Sequence, residues 1–397
     1  MKHILNPLYV LSNINSLLYF YNSSRLFYYE IDRSGDFMLP ELTEETALKA
    51  LQEFFQSKPF VLFGTGLSCA VDQDYGMEGL KNHLSNCIPN ADLKIEQKQQ
   101  WEKVIEKLNN GLNFETAMND VQDKDLIRII VNETAKLVVS LDQKYSLDIM
   151  NGNKIWPGQL LFKRLVETLP ETDRTLHVAT TNYDMLAEYA FEQAGIPYTS
   201  GFVGGICRYL DWNQAGRCLT YPCKSLVGRK LKRNTEIRKH IKLYKVHGSL
   251  NTFMVNGKIV ENNTWVRENP MGIERVMITP GMSKYEEIHQ YRSELMLQCD
   301  ESLRKHSAFL FLGFGFNDNH LINLAMNQKL QNYPSLIITK NSNERINELV
   351  KECENAWLVC EFGNGTCIYN SRFSKELIIK DKSLWNPREF VKEILGG

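Results

Sequence analysis

Phe60-Val61-Leu62-Phe63-Gly64-Thr65-Gly66-Leu67-Ser68 is the stretch on which the fold turns. Four apolar residues in a row suit a strand buried on both faces, as in a parallel sheet. The Gly-x-Gly behind them makes a tight strand-to-helix turn. Working outward, Leu176–Ala179, Leu243–Val246, Val276–Thr279, Phe309–Leu312, Leu336–Ile338 and Leu358–Cys360 read as further short apolar strands. Thr43–Ser57, with Thr43 as N-cap, Asp184–Ala194 and the stretches 284–304, 318–331 and 343–355 read as helices. Gly201–Gly205 reads as a Gly-rich loop, and Asn251–Val260 as a hairpin with Asn256-Gly257 at its tip. Strands alternating with helices predict an α/β fold on a doubly wound, Rossmann-like parallel sheet. Between about 85 and 170 the pattern is helical (95–109, 122–141, 158–168), too long for one crossover, so a helical insertion is expected. Residues 1–40 read as an N-terminal extension, and 41–397 as one domain carrying that insertion.

The 397 residues hold 46 Lys+Arg against 47 Asp+Glu, which argues against a surface that coats nucleic acid or anionic membrane. Hydrophobic residues at 43% and charged residues at 23% are those of an ordinary globular chain, so collagen-like and disordered classes drop out. Nine cysteines (69, 87, 207, 218, 223, 299, 353, 360, 367) include no CxxC pair and no zinc-finger alternation with His. Reduced, mostly buried thiols in a cytoplasmic protein are expected, and no metal. Residues 4–31 are aromatic-rich, but Asn and Ser interrupt them before a membrane span or a signal peptide could form. They read as a structural or interface segment, and with it a homo-oligomer is expected. The run 224–245 carries nine Lys/Arg and one Glu, and three readings stand: a solvated connection, a partner surface or a nucleic-acid contact.

Four turns follow apolar strands. In Gly64-Thr65-Gly66-Leu67-Ser68, glycines would let a pyrophosphate approach the backbone at the next helix start. Cys69 stands where a dehydrogenase fingerprint would put its third Gly, and no G-x-x-x-x-G-K-[ST] segment occurs. Thr180-Thr181-Asn182-Tyr183-Asp184 closes its strand where open α/β sheets place ligands. The bland reading is that Asp184 caps the next helix and Asn182 serves the turn. Lys245-Val246-His247-Gly248-Ser249-Leu250 puts a His at a strand end, with a Gly that permits close ligand approach. Gly313-Phe314-Gly315-Phe316-Asn317-Asp318 supplies a second Gly-x-Gly turn, with Asp318 as the expected N-cap behind it. Four polar, glycine-assisted turns at four strand ends point to one crevice.

FGTGLS, TTNYD, KVHGSL and GFGFND, in this order over about residues 58–340, resemble the successive motifs of the sirtuin (silent-information-regulator) fold. More narrowly they are similar to prokaryotic sirtuin-like NAD hydrolases of antiphage defence. The resemblance implies NAD+ as substrate, held by Gly64, Thr65, Gly66, Ser68 and Thr181, with Gly313 and Gly315 along the adenosine end. It implies catalytic work for Asn182, Asp184 and His247: Asn182 holding a water or ribose hydroxyl, His247 accepting a proton, Asp184 placing a carboxylate near the carboxamide or cation. Cleavage of the nicotinamide–ribose bond would pass through an oxocarbenium-like ribose and give ADP-ribose and nicotinamide.

Two departures bear on the reaction. No paired CxxC zinc ligands follow His247-Gly248, and Ala70-Val71-Asp72-Gln73-Asp74-Tyr75-Gly76 replaces a segment that deacetylating sirtuins build with proline and arginine. Both turn the expectation from protein deacylation towards NAD+ hydrolysis. The alternatives are a deacylase or ADP-ribosyltransferase, and an NAD- or ADP-ribose-binding regulatory subunit without turnover. Related systems imply a separately encoded HerA-type ATPase or another sensor protein as partner.

Overall fold

The computed structural model describes residues 9–14, 17–22, 25–31, 37–112, 114–119, 121–227, 230–278, 286–317, 321 and 324–396. The chain forms two compact units, the larger from Ser57–Phe314 with Asn386–Gly397, the smaller from Met1–Gln56 with Gly315–Trp385.

In the larger unit, strands Phe309–Leu312, Phe60–Phe63, Thr175–Thr180, His240–Lys245 and Tyr198–Thr199 lie side by side in that order, all parallel. Phe60–Phe63 and Phe309–Leu312 are at most 1% exposed, which is why these strands read as unbroken apolar runs. A second, antiparallel sheet runs Glu274–Met277, Gly248–Val255, Lys258–Glu261, Arg208–Leu210, Phe202–Gly204. Asn256 and Gly257 close its hairpin at φ 51° and 72°, the two positive values that a type I′ turn needs.

Two expectations are corrected here. Gly201–Gly205 is not simply a loop, since Phe202–Gly204 is a strand of the antiparallel sheet. The 276–279 segment belongs to that same sheet, as Glu274–Met277, and not to the parallel one. Sequence pattern missed this because a short apolar run does not say which sheet it joins.

Five helices fill the expected insertion and its margins: Met77–Cys87, Ile95–Asn109, Phe114–Met118, Lys124–Met150 and Gln159–Glu167. Asp123 caps the long one by accepting from Leu126 N–H at 2.8 Å. Phe63, Trp156, Phe162 and Phe191 interlock edge to face, or stacked, between the central strand and the helices around it. The basic run forms much of a two-stranded hairpin, Thr220–Val227 with Lys230–Ile237, before entering the parallel strand at His240.

The smaller unit pairs Ser335–Ile338 in parallel with Ala356–Phe362, which continues antiparallel through Gly365–Tyr369 and Leu377–Ile379. Its helix Glu44–Phe54 starts where Thr43 Oγ1 accepts from Thr46 N–H. Strands Tyr9–Ile14, Leu17–Asn22, Arg25–Ile31 and Phe37–Met38 form an antiparallel meander ahead of it. All nine cysteines are free, and among the described residues no helix is long and apolar enough to cross a membrane.

Candidate functional site

In the larger unit each motif begins where a parallel strand ends. Phe60–Phe63 runs into Gly64–Ser68, Thr175–Thr180 into Thr181–Asp184, His240–Lys245 into Val246–Ser249, and Phe309–Leu312 into Gly313. The register pairs Phe63 with Thr180, Thr180 with Lys245 and Phe63 with Leu312, so the four turns emerge side by side at the C-terminal edge.

Hydrogen bonds join them into one assembly. Gly64 N–H donates to Leu312 O and Gly66 N–H to Gly313 O, each at 3.0 Å. Asn182 Nδ2 donates to Gly64 O at 3.2 Å and to Ser68 Oγ at 3.0 Å, and Ser68 Oγ donates to Asp184 Oδ2 at 2.8 Å. On the other side, Val246 N–H donates to Thr180 O at 3.1 Å and Leu250 N–H to Tyr183 O at 3.2 Å. Ser249 Oγ reaches the same Tyr183 carbonyl at 3.1 Å, and Lys245 Nζ reaches Asp184 O at 2.6 Å.

The motif glycines are explained by this packing. A Cβ on Gly64 would stand 2.7 Å from Gly313 O, and one on Gly66 would stand 2.7 Å from Gly313 Cα. The two Gly-x-Gly turns thus press backbone on backbone, and the Gly64 and Gly66 amides already donate within the fold. What this turn leaves exposed is Thr65 and Gly66. Gly248 sits at φ 75°, where a Cβ would fall 1.9 Å from Val276 O. Its place beside His247 is a requirement of the antiparallel sheet; the sequence suggested ligand approach.

Asn182 is 2% exposed, its own N–H donates to Thr180 Oγ1 at 3.1 Å, and both donors of its amide side are engaged as above. Its Oδ1 is buried and accepts no hydrogen bond from the described residues. A buried, oriented acceptor without a donor is uncommon in folded proteins and fits a group that awaits a water or a hydroxyl. His247 is half-buried on the neighbouring turn, its carbonyl accepting from Ile278 N–H at 2.9 Å. Thr181, next to Asn182 in the chain, is half-buried as well.

Asp184 is buried, accepting from Ser68 Oγ and from Leu186 N–H at 3.2 Å, so it braces the turn and also caps the helix Leu186–Gln193. Burial holds its carboxyl above the usual carboxylate range, with the Lys245 cation and the Ser68 hydroxyl opposing. Sequence reasoning missed what lies behind it. Asp142, from the long insertion helix, accepts from Tyr75 Oη and from Met185 N–H, each at 2.9 Å. Burial and then the Asp184 charge push the Asp142 carboxyl up to about 8. Lys245 Nζ also pairs with Glu188 Oε1 at 2.6 Å, both side chains being nearly buried. The available signal was Asp142 itself, a carboxylate set in the apolar stripe Val138, Val139, Leu141.

Gly315 lies in the smaller unit, where its carbonyl accepts from Asn343 Nδ2 at 2.8 Å. Asp318 lies outside the described residues. A cavity of about 490 Å³ at the opposite, N-terminal edge of the parallel strands is lined by Lys58, His177, Lys242 and His306 and touches none of the predicted site residues.

Residues 176–357 match the family model of the SIR2-like domain, which spans the TTNYD, KVHGSL and GFGFND turns and begins after FGTGLS. No curated protein matches the sequence. Among solved structures, one described as "Structural Basis for the Mechanism and Regulation of Sir2 Enzymes" is similar at 11% identity and a TM-score of 0.38. That similarity covers 89% of this chain and 99% of the other. Residues 176–357 are thus similar to a SIR2-like domain, and they lie in a mixed α/β chain whose turns assemble at one sheet edge.

Proposed function

We propose that this chain hydrolyses NAD+ at the nicotinamide–ribose bond, giving ADP-ribose and nicotinamide, and that it serves antiphage defence by depleting NAD+. The observation that carries the reading is the unpartnered, buried Oδ1 of Asn182, held in place by Gly64 O and Ser68 Oγ at its amide nitrogen. With the amide nitrogen tied down, the oxygen can accept only from a guest, and a water or ribose hydroxyl supplies the donor. A nucleophilic water so held needs a base, and His247 is on the adjoining turn, tied to the same Thr180–Asp184 segment.

The pyridinium leaves as neutral nicotinamide, so the site needs little acid catalysis. It needs a fixed ribose and a stabilised oxocarbenium-like centre. Thr65 and Gly66 are the residues proposed at the phosphates, while Ser68, buried with its hydroxyl engaged by Asn182 and Asp184, supports the turn from behind. Asp184 acts in this scheme mainly as a positioning group, because both its oxygens are engaged by Ser68 and Leu186.

The test is nicotinamide release by the purified chain, alone and with its proposed ATPase partner, read by chromatography, with calorimetry for NAD+ binding and circular dichroism for folding. His247→Ala and Asn182→Ala should each lower turnover by ~10²–10⁴-fold while NAD+ still binds. A folded His247→Ala protein hydrolysing NAD+ at the wild-type rate would sink the assignment. Binding by the wild type without any release, in either condition, would turn the reading to a regulatory NAD- or ADP-ribose-binding subunit.

A further inference from the structure

Helices Met77–Cys87 and Lys124–Met150 pack against each other within the insertion. His83 and Cys87 are one turn apart on the first, so both side chains leave the same face. Glu133 meets them from the second. Cys87 Sγ lies 3.7 Å from His83 Nε2, and Glu133 Oε2 lies 3.7 Å from the same nitrogen. The three ligand atoms are within 4.8 Å of one another, and all three residues are half-buried. Among the described residues this is the one His/Cys/Asp/Glu group so arranged.

The His83–Glu133 separation is not that of a hydrogen bond. A His–carboxylate hydrogen bond would close to about 2.7–3.0 Å, well inside what is found. In a tetrahedral zinc site with bonds of ~2.0–2.3 Å, neighbouring ligand atoms stand roughly 3.3–3.8 Å apart, the edge of the tetrahedron. For the nitrogen–oxygen and nitrogen–sulfur edges in question the values are about 3.3 and 3.5 Å, so the two 3.7 Å separations need to close by a few tenths of an ångström on an ion. The other carboxylate oxygen, Glu133 Oε1, is held at 2.6 Å by Lys136 Nζ, which turns Oε2 towards His83. Such an outer contact is what orients a ligating carboxylate.

We propose that His83, Cys87 and Glu133 bind one zinc-class divalent ion, with water as fourth ligand. One nitrogen, one thiolate sulfur and one carboxylate oxygen suit zinc and its borderline neighbours and disfavour magnesium and calcium. The ion clips the two helices together about two and a half turns along the long helix from Asp142, which Tyr75, just ahead of the first helix, also reaches. No CxxC or zinc-finger spacing announces it, because Glu133 stands far down the chain from the other two.

The experiment uses the full chain, freed of any affinity tag, stripped with chelator and titrated with zinc against a chromophoric competitor. One equivalent should bind, and His83→Ala, Cys87→Ser and Glu133→Gln should each weaken it at least ~10-fold. Cobalt in place of zinc should give a thiolate-to-metal charge-transfer band that Cys87→Ser abolishes. Should a variant fail to fold, the wild type decides: zinc must slow iodoacetamide alkylation of Cys87, mapped by mass spectrometry, and leave exposed Cys218 unaffected. No stoichiometric binding, or binding that survives all three substitutions with Cys87 unprotected, overturns the proposal. NAD+ turnover plays no part in these readouts, so failure here is separate from failure of the hydrolase reading.

Discussion

Gly248 and Gly205 look alike in sequence, each a glycine in a turn-rich stretch, and the structure separates them. At Gly248 an added methyl would overlap Val276 O at 1.9 Å in a left-handed backbone position, whereas Gly205 has open space around its missing Cβ and no positive φ. Gly248→Ala should therefore destabilise by about 2–4 kcal/mol and Gly205→Ala by less than about 0.5 kcal/mol, measured by urea unfolding. Equal effects would mean that the turn after His247 is not packed as described. The comparison also shows what sequence could reveal at this scale. That Gly64, Gly66, Gly248 and Gly313 matter was legible from their places after strands. Their reason, backbone pressed on backbone, was not, because it depends on which turns become neighbours. Asn182 stood out as a candidate for the same positional reason, while its idle oxygen is visible only once Gly64 and Ser68 claim the nitrogen.

Among the elements, the parallel strands were the most legible, since full burial leaves an uninterrupted apolar run that short antiparallel strands such as Phe202–Gly204 lack. The ties between the insertion and the site were not legible at all: Tyr75, Asp142 and Met185 are brought together only by folding. Those ties have a pH signature. Asp142 rises from an ordinary 3.8 to about 8 on folding, so the folded state binds a proton there that the unfolded chain has released. Stability from this group is complete below about 4 and is lost as pH rises towards about 8, the reverse of a salt-bridged carboxylate. Urea midpoints measured from pH 5 to pH 9 should fall with pH, and Asp142→Asn should flatten the curve. A wild-type profile rising over that window, or an unchanged slope in the variant, would contradict the assignment. Lys245 belongs to the same tier. Lys245→Met strands the buried Glu188 carboxylate and the Asp184 carbonyl, and should cost about 3–5 kcal/mol in the same assay.

At the scale of the whole molecule, neither the SIR2-like match nor the four turns absorb the meander of strands Tyr9–Ile14, Leu17–Asn22, Arg25–Ile31 and Phe37–Met38. In Leu17–Asn22 and Arg25–Ile31, odd and even positions alike are mostly aromatic or aliphatic, for example Tyr19, Phe20, Phe27 and Tyr28. A sequence of this composition offers water little polar surface, and a large uncovered apolar patch is rare on a monomer. From this pattern we propose that the chain assembles with copies of itself through residues 1–37. Light scattering of the purified chain should give a mass that is a multiple of the 45.9 kDa protomer, and deletion of residues 1–37 should bring it down to one protomer. The deletion leaves the four motif turns in place, so circular dichroism and NAD+ calorimetry serve as its folding controls. A wild-type mass of one protomer refutes self-assembly. An oligomer that survives the deletion with its number of protomers unchanged moves the interface elsewhere on the chain and leaves the aromatic meander to be covered by this chain alone.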